Sequence, residues 1–175
     1  MTSVPWGVVT LTESCVGSQP REQAVTRACY DDMVERIQAD LRPFCARYGI
    51  GSALARGEVQ MIGASGTVTT VSAHNLGLKR YNRTLVDGSR IGRDSILRIC
   101  DKLSNLSVAE LTHLPCIGDD RADLALAGGA ILEAVCRQWP APMVRVADRG
   151  LREGVLMDLM RQADRDADPL CRQGG

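Results

Sequence analysis

The chain has 175 residues, 45% of them apolar and 3% aromatic, and 21 basic side chains balance 21 acidic ones. That length supports one ordinary domain and excludes two large ones, and the zero net charge excludes a global electrostatic affinity for nucleic acid or anionic membrane. With aromatics scarce, a core must be built from Val, Leu, Ile and Ala, as in layered α/β proteins.

Trp6 to Glu13 is β-branched and alternating, with Val9 and Leu11 on one face and Val8, Thr10 and Thr12 on the other, which predicts a strand over 6–13. Met1 to Pro5 gives that strand almost no lead-in, so the chain is expected to start in mid-sheet, as if cut. After a loop at Gly17-Ser18, Pro20 suits a first helical turn. Val25, Cys29, Met33, Ile37 and Leu41 then recur near helical spacing, predicting a helix over 20–41 that Pro43 ends or kinks. Gly49 to Gly57 reads as loop.

Residues 59–63 form a short apolar run that breaks into Gly63-Ala64-Ser65-Gly66, followed by an Ala/Val/Thr helix to about Asn75 with Gly77 as its stop. In such a strand–turn–helix unit the first helical N–H groups lack acceptors and the helix dipole adds positive charge, so an anion fits. Gly63 and Gly66 remove Cβ atoms from that mouth, Ser65 and Thr67 add hydroxyls, and Ser65 suits an N-cap. A tight turn without ligand fits the same residues. His74 reads as a surface residue at a helix end.

Lys79 to Arg93 carries Lys79, Arg80, Arg83, Arg90 and Arg93 against one acid, Asp87. Either it is a solvated loop or it contacts a polyanion; the lack of aromatics argues against base stacking. Ile96, Ile99, Cys100 and Leu103 make a helical stripe, and Ser107 with Glu110 spells a capping box for a short helix closed by Leu114-Pro115. Asp119 or Asp120 can cap a helix over 119–137. Its interior Gly128-Gly129 costs about 1 kcal/mol per glycine relative to Ala, which implies close backbone packing or a ligand on the helix. Residues 143–147 form a strand, and Leu151, Val155, Leu159 and Ala163 mark the buried face of a last helix, fraying from about Asp164. One lobe over 1–165 with a disordered tail over 166–175 is expected.

The seven cysteines, Cys15, Cys29, Cys45, Cys100, Cys116, Cys136 and Cys171, are an odd set with no two closer than fourteen positions. They spell neither a zinc knuckle nor a C-x-x-C, and read as reduced thiols used mostly for packing. There is no signal-peptide pattern and no apolar run near the roughly 20 residues of a membrane span, so a cytoplasmic protein without membrane contact is expected.

Four stretches, in order, resemble one family. Val4 to Glu13 is similar to "lPlGvVrLtE", Ile62 to Thr67 to "iGtsGT", Arg121-Ala122-Asp123 with Ala127 to Leu132 to "RADv…aGaaIl", and Asp148 to Gly154 to "d.GLREG". Together they resemble the second lobe of the exopolyphosphatase/guanosine pentaphosphate phosphatase family. The resemblance implies an α/β lobe of the actin/sugar-kinase-like (ribonuclease H-like) fold, truncated at its N-terminal edge. It implies hydrolysis of a terminal phosphoanhydride in polyphosphate or guanosine pentaphosphate, with Mg²⁺. It places Gly63, Ser65, Gly66 and Thr67 on substrate phosphate and Arg149 and Arg152 in the cleft.

The family's earlier lobe, with its Asp-x-Gly-Ser-Asn-Ser loop and catalytic Glu, and its Asp-x-Gly-Gly-Gly-Ser loop have no counterpart in this sequence. No catalytic residue and no metal ligand is therefore assigned. A phosphatase fragment inactive alone, which either pairs with a first lobe or self-associates, is the leading expectation. A free-standing polyphosphate- or nucleotide-binding module is the alternative, and a purely structural interaction protein is a third.

Overall fold

The structure, a computed structural model, describes residues 3–15 and 25–167. Along them run α1 (Val8–Cys15), α2 (Arg27–Tyr48), α3 (Ile50–Ala55), β1 (Met61–Gly63), α4 (Gly66–Asn75), α5 (Arg83–Val86), β2 (Arg90–Gly92), α6 (Arg93–Ser104), α7 (Val108–Thr112), α8 (Asp119–Gln138), β3 (Met143–Val146) and α9 (Leu151–Ala167). β3 is the middle strand of the sheet. It runs parallel to β1, with Met61 opposite Val144, and antiparallel to β2, with Ile91 opposite Val144.

Two apolar clusters hold these elements. One packs Val71 of α4, Ile96 and Cys100 of α6 and Leu132 of α8 against Val144 and Val146 of the sheet. The other is helix on helix, joining Leu11, Tyr30, Met33, Ile37, Leu126 and Ala130. Each fully buried Leu, Ile or Val contributes roughly 1.5–3 kcal/mol. α8 belongs to both clusters, and its small residues allow that.

A Cβ on Gly128 would lie 2.3 Å from Thr67 Oγ1, and one on Gly129 would lie 3.3 Å from the Tyr30 hydroxyl. The glycine pair thus serves close packing. Behind it, Glu133 is buried and accepts a 3.0 Å hydrogen bond from Tyr30 Oη while pairing with Arg137 at 2.5 Å. Two partners offset the cost of burying a carboxylate.

The predicted strands at 59–63 and 143–147 are present as β1 and β3, and Ser107 with Glu110 forms the expected capping box. Residues 6–13 correct the prediction, because most of that stretch is helix α1. A strand would bury Val9 and Leu11 alike, whereas Leu11 is fully buried and Val9 is 52% exposed. The threonines that suggested a strand turn their hydroxyls onto the backbone. Thr10 Oγ1 donates to Gly7 O at 3.1 Å and Thr12 Oγ1 to Val8 O at 2.7 Å. Packing on α8 then overrides a weak β propensity.

α2 begins at Arg27, with Thr26 as N-cap, and continues through Pro43 to Tyr48. Its last turns are held by Phe44, whose ring centroid lies 4.7 Å from that of Tyr48 and 6.1 Å from that of Trp139. Gly49, at φ 60°, then ends it. The expected loop at 49–57 contains α3, and the basic stretch contains β2. Gly118, rather than Asp119 or Asp120, takes the cap position of α8.

α9 departs most from expectation. Leu151, Val155 and Leu159 are 85%, 50% and 56% exposed, so its apolar face is not covered by the described residues. It continues to Ala167, past the expected fraying point. The loop at 17–18, Pro20, Cys171 and the rest of the tail, 168–175, lie outside the described residues.

Candidate functional site

Because β1 and β3 are parallel, their C-terminal ends emerge at one edge of the sheet, the usual place for a ligand in an α/β layer. Two turns meet there. Ala147 N donates to Gly63 O at 2.9 Å, extending the pairing past the strand ends and holding the two turns together. Ala64 to Gly66 on one side and Ala147 to Glu153 on the other enclose a cleft of about 250 Å³. α4 and α9 both begin at it, so two sets of N-terminal amides face one space.

The first turn owes its shape to its residues. A Cβ on Gly63 would lie 2.8 Å from Val68 Cγ1, so only glycine lets α4 fold back this closely on β1. Ser65, extended at φ −156° and ψ 160°, accepts a 3.2 Å hydrogen bond from Val68 N and caps α4 as expected. Its hydroxyl retains a proton to donate.

The second turn is held from outside. Arg83 reaches it with a hydrogen bond to Asp148 O, a 3.1 Å ion pair to Asp148 Oδ2 and a 3.8 Å approach to Glu153 Oε1. Asp87 Oδ1 accepts from Asp148 N at 2.9 Å, and its Oδ2 lies 3.6 Å from Arg149 Nε. Gly150 N donates to Glu153 Oε2 at 2.8 Å. That N–H, with the Glu153 N–H and the guanidinium groups of Arg152 and Arg83, holds the Glu153 carboxyl below the usual glutamate range. The Tyr81 hydroxyl, near Asp148 and Thr69, is shifted upward chiefly by burial and then by Asp148.

The sequence candidates therefore divide. Ser65 and Gly66 meet Arg149 and Arg152 across the cleft. Gly63 and Thr67 line instead an apolar cavity of about 280 Å³ with Met61, Ile131 and Val135, and Thr67 also borders a second of about 260 Å³ with Leu103 and Ile117. Arg83 is engaged by Asp148 and Glu153 as a brace of the turn. Arg93 Nε donates to Cys136 O at 3.0 Å, at the far end of α8, and Arg90 lies on β2, separated from β1 by β3. Lys79 and Arg80 are exposed beyond the C-terminus of α4, roughly 15 Å along that helix from Ser65. Arg152 has no ion-pair partner among the described residues.

Sequence reasoning missed Asp87, Asp148, Glu153 and Tyr81 as parts of the site. Asp87 was visible as the single acid of the basic stretch, and Asp148 and Glu153 as acids flanking the arginines of the last motif. Tyr81 carried no signal. The two cleft carboxylates are occupied by Arg83 and by Gly150 N, and no group of three His, Cys, Asp or Glu converges among the described residues. These residues do not fit a Mg²⁺ site.

The sequence matches the Ppx/GppA phosphatase family over residues 1–163. Exopolyphosphatase 2 of Mycobacterium tuberculosis is 24% identical over 157 residues, covering 87% of this chain and 46% of that protein. The crystal structure of an exopolyphosphatase-like protein matches with TM-score 0.77 at 26% identity, over 90% of this chain and 49% of its own. A Ppx/GppA phosphatase of Aquifex aeolicus matches with TM-score 0.72 at 24% identity, over 90% of this chain and 48% of its own. The chain thus spans about half the length of these relatives, and its fold is a partial lobe of the actin and sugar-kinase type.

Proposed function

The chain belongs to the Ppx/GppA phosphatase family, and on that premise we propose that its cleft holds the terminal phosphates of inorganic polyphosphate or guanosine pentaphosphate in the cytoplasm. The observation that carries this reading is the convergence of the Ser65-Gly66 turn, the N-termini of α4 and α9, and Arg149 with Arg152 on one cleft. Backbone amides and a planar guanidinium are the donors that a phosphoryl group takes.

Hydrolysis of a phosphoanhydride needs more than such a clamp. Attacking water must be placed by a base, and charge on the transferred group must be met from both sides. Asp148 and Glu153 are engaged by Arg83 and the backbone, so neither is a free base. The chain is read as one half of a phosphatase site, inactive alone, whose base, metal ligands and two further phosphate loops come from the other half, of the kind its relatives possess. Mg²⁺ belongs to that completed site. A binding module without catalysis is the second reading, favoured by the same unfilled need for a base.

Two measurements test this. Polyphosphate should bind the isolated chain in a salt-sensitive way, and Arg152→Ala should weaken it about tenfold, the scale of one charge-assisted hydrogen bond. Unchanged binding would remove the cleft from consideration. Phosphate release with Mg²⁺ should be absent for the chain alone and appear on adding a relative's first lobe. Release by the isolated chain would refute the half-site reading, and none after addition would favour the module.

A further inference from the structure

The last residue of α1 and the third residue of α2 bring two thiols together. Cys29 Sγ donates to Cys15 O at 3.4 Å, which brings the Cys29 thiol onto the Cys15 residue. Both are half-buried at the margin of the helix-on-helix cluster, open to a small reagent. The remaining described cysteines differ. Cys100 and Cys136 are buried in the sheet-side cluster, Cys116 Sγ donates to Leu78 O at 3.4 Å on another face, and Cys45 lies sixteen residues beyond Cys29 along α2, near Trp139.

We infer that Cys15 and Cys29 are a redox pair that closes to a disulfide by exchange with a low-molecular-weight disulfide, clamping α1 to α2. The Cys15 thiolate attacks one sulfur of the reagent, and the other sulfur departs with the bonding electrons and takes up a proton. Cys29 then loses its proton to solvent and attacks Cys15 Sγ, releasing the second thiol. Two protein thiols are oxidised and one reagent disulfide is reduced to two thiols. Burial, and after it the neighbouring Cys15, pushes the Cys29 thiol up to about 11, so Cys29 is the slower nucleophile and follows only once the mixed disulfide on Cys15 is held beside it.

The bond would act on α1, which is otherwise held by Leu11 and by the 2.7 Å hydrogen bond from Trp6 Nε1 to Asp40 Oδ2. α1 carries Val8, which lines both apolar cavities beside Ser65. A clamp here therefore fixes one wall of the region around the Ser65 turn. The exchange chemistry does not depend on what that turn binds.

The full chain is titrated with oxidised glutathione, digested without reduction and mapped by mass spectrometry. The expected main product is a Cys15–Cys29 cross-linked peptide, two hydrogens lighter than its reduced parts. Its formation should raise Tm by roughly 5–10 °C, from the loop it closes. That rise should vanish in Cys15→Ser and persist in Cys45→Ser. Persistent glutathione adducts on Cys15, cross-links from either residue to another cysteine, or a reduced pair after Cys45 and Cys116 have reacted would each overturn the pair. A Cys15–Cys29 bond formed without any rise in Tm would overturn the clamp.

Discussion

α8 and α9 are both long helices with apolar faces, and they meet opposite fates. α8 carries two interior glycines, yet Ala127, Ala130 and Ala134 are fully buried in the helix-on-helix cluster with α1 and α2. α9 carries larger apolar side chains, yet Leu156, Leu159 and Met160 remain 58%, 56% and 58% exposed. Periodicity marks the face a helix can bury; whether it does so depends on what lies opposite. α8 is narrow enough for neighbours to close on it from two sides. α9 is anchored at its first turn by Arg83 and Glu153 and presents its apolar surface to whatever lies beyond the described residues.

The largest test of that contrast is Gly128→Ala. The added methyl collides with Thr67, and overpacking of this kind costs about 1–3 kcal/mol, outweighing the roughly 1 kcal/mol gained in helix propensity. Denaturant unfolding should show a net loss, and Thr67→Ala in the same chain should restore most of it. A neutral Gly128→Ala would mean that α8 and α4 sit further apart than described.

The matching change in α9, Gly154→Ala, meets no atom within 4 Å. It should strengthen the helix by about 0.5–1 kcal/mol, seen as slower amide exchange along α9 with little change in global Tm. A fall in Tm would reveal a packed partner. Smaller still is the expected folding effect of Leu156→Lys with Met160→Lys, within about 0.5 kcal/mol because both are surface positions. Light scattering should nevertheless report less self-association for this pair than for the natural chain, which is neutral and carries an open apolar face. A natural chain that stays monomeric would deny α9 that role.

The smallest effect is that of pH on the α9 start. Glu153 binds its proton less readily folded than unfolded, so its contribution is complete above the ordinary glutamate value of 4.5 and is lost as pH falls through the lower folded value. Carboxyl NMR should place its midpoint below 4.5. In Arg83→Gln the midpoint should move only part of the way back, because Gly150 N is the larger cause.

What the sequence made legible was local. Ser65 and Gly63 announced a strand, a cap and a helix, and each of those depends on a few neighbouring residues. Ser107 with Glu110 and the Ile96, Cys100, Leu103 stripe were readable for the same reason. The failures were tertiary. Val8 to Glu13 alternates well enough for a strand, and only the presence of α8 beneath Leu11 decides for a helix. Five positive charges between Lys79 and Arg93 could be counted, but not the carbonyl of Cys136 that takes Arg93 or the turn that takes Arg83. Ser65, Gly66, Arg149 and Arg152 were singled out from the sequence and line one cleft, whereas Asp87, which holds Arg149, and the acids that hold Arg83 were not.

The pairing of β1 with β3 has a further consequence, for the order in which the molecule assembles. Met61 and Val144 are about eighty residues apart, and β3 separates β1 from β2, so no two strands can pair before the chain is made through Val146. Contacts of that sequence separation are slow to form. During synthesis the helices from α2 to α8 emerge first, and the cleft between the Ser65 and Asp148 turns closes last. Pulsed hydrogen exchange during refolding should show Gly63-bonded Ala147 N protected after the amides of α8, and earlier protection would refute that order. A chain released shortly before β3 would carry Ser65 in full and have no site to put it in.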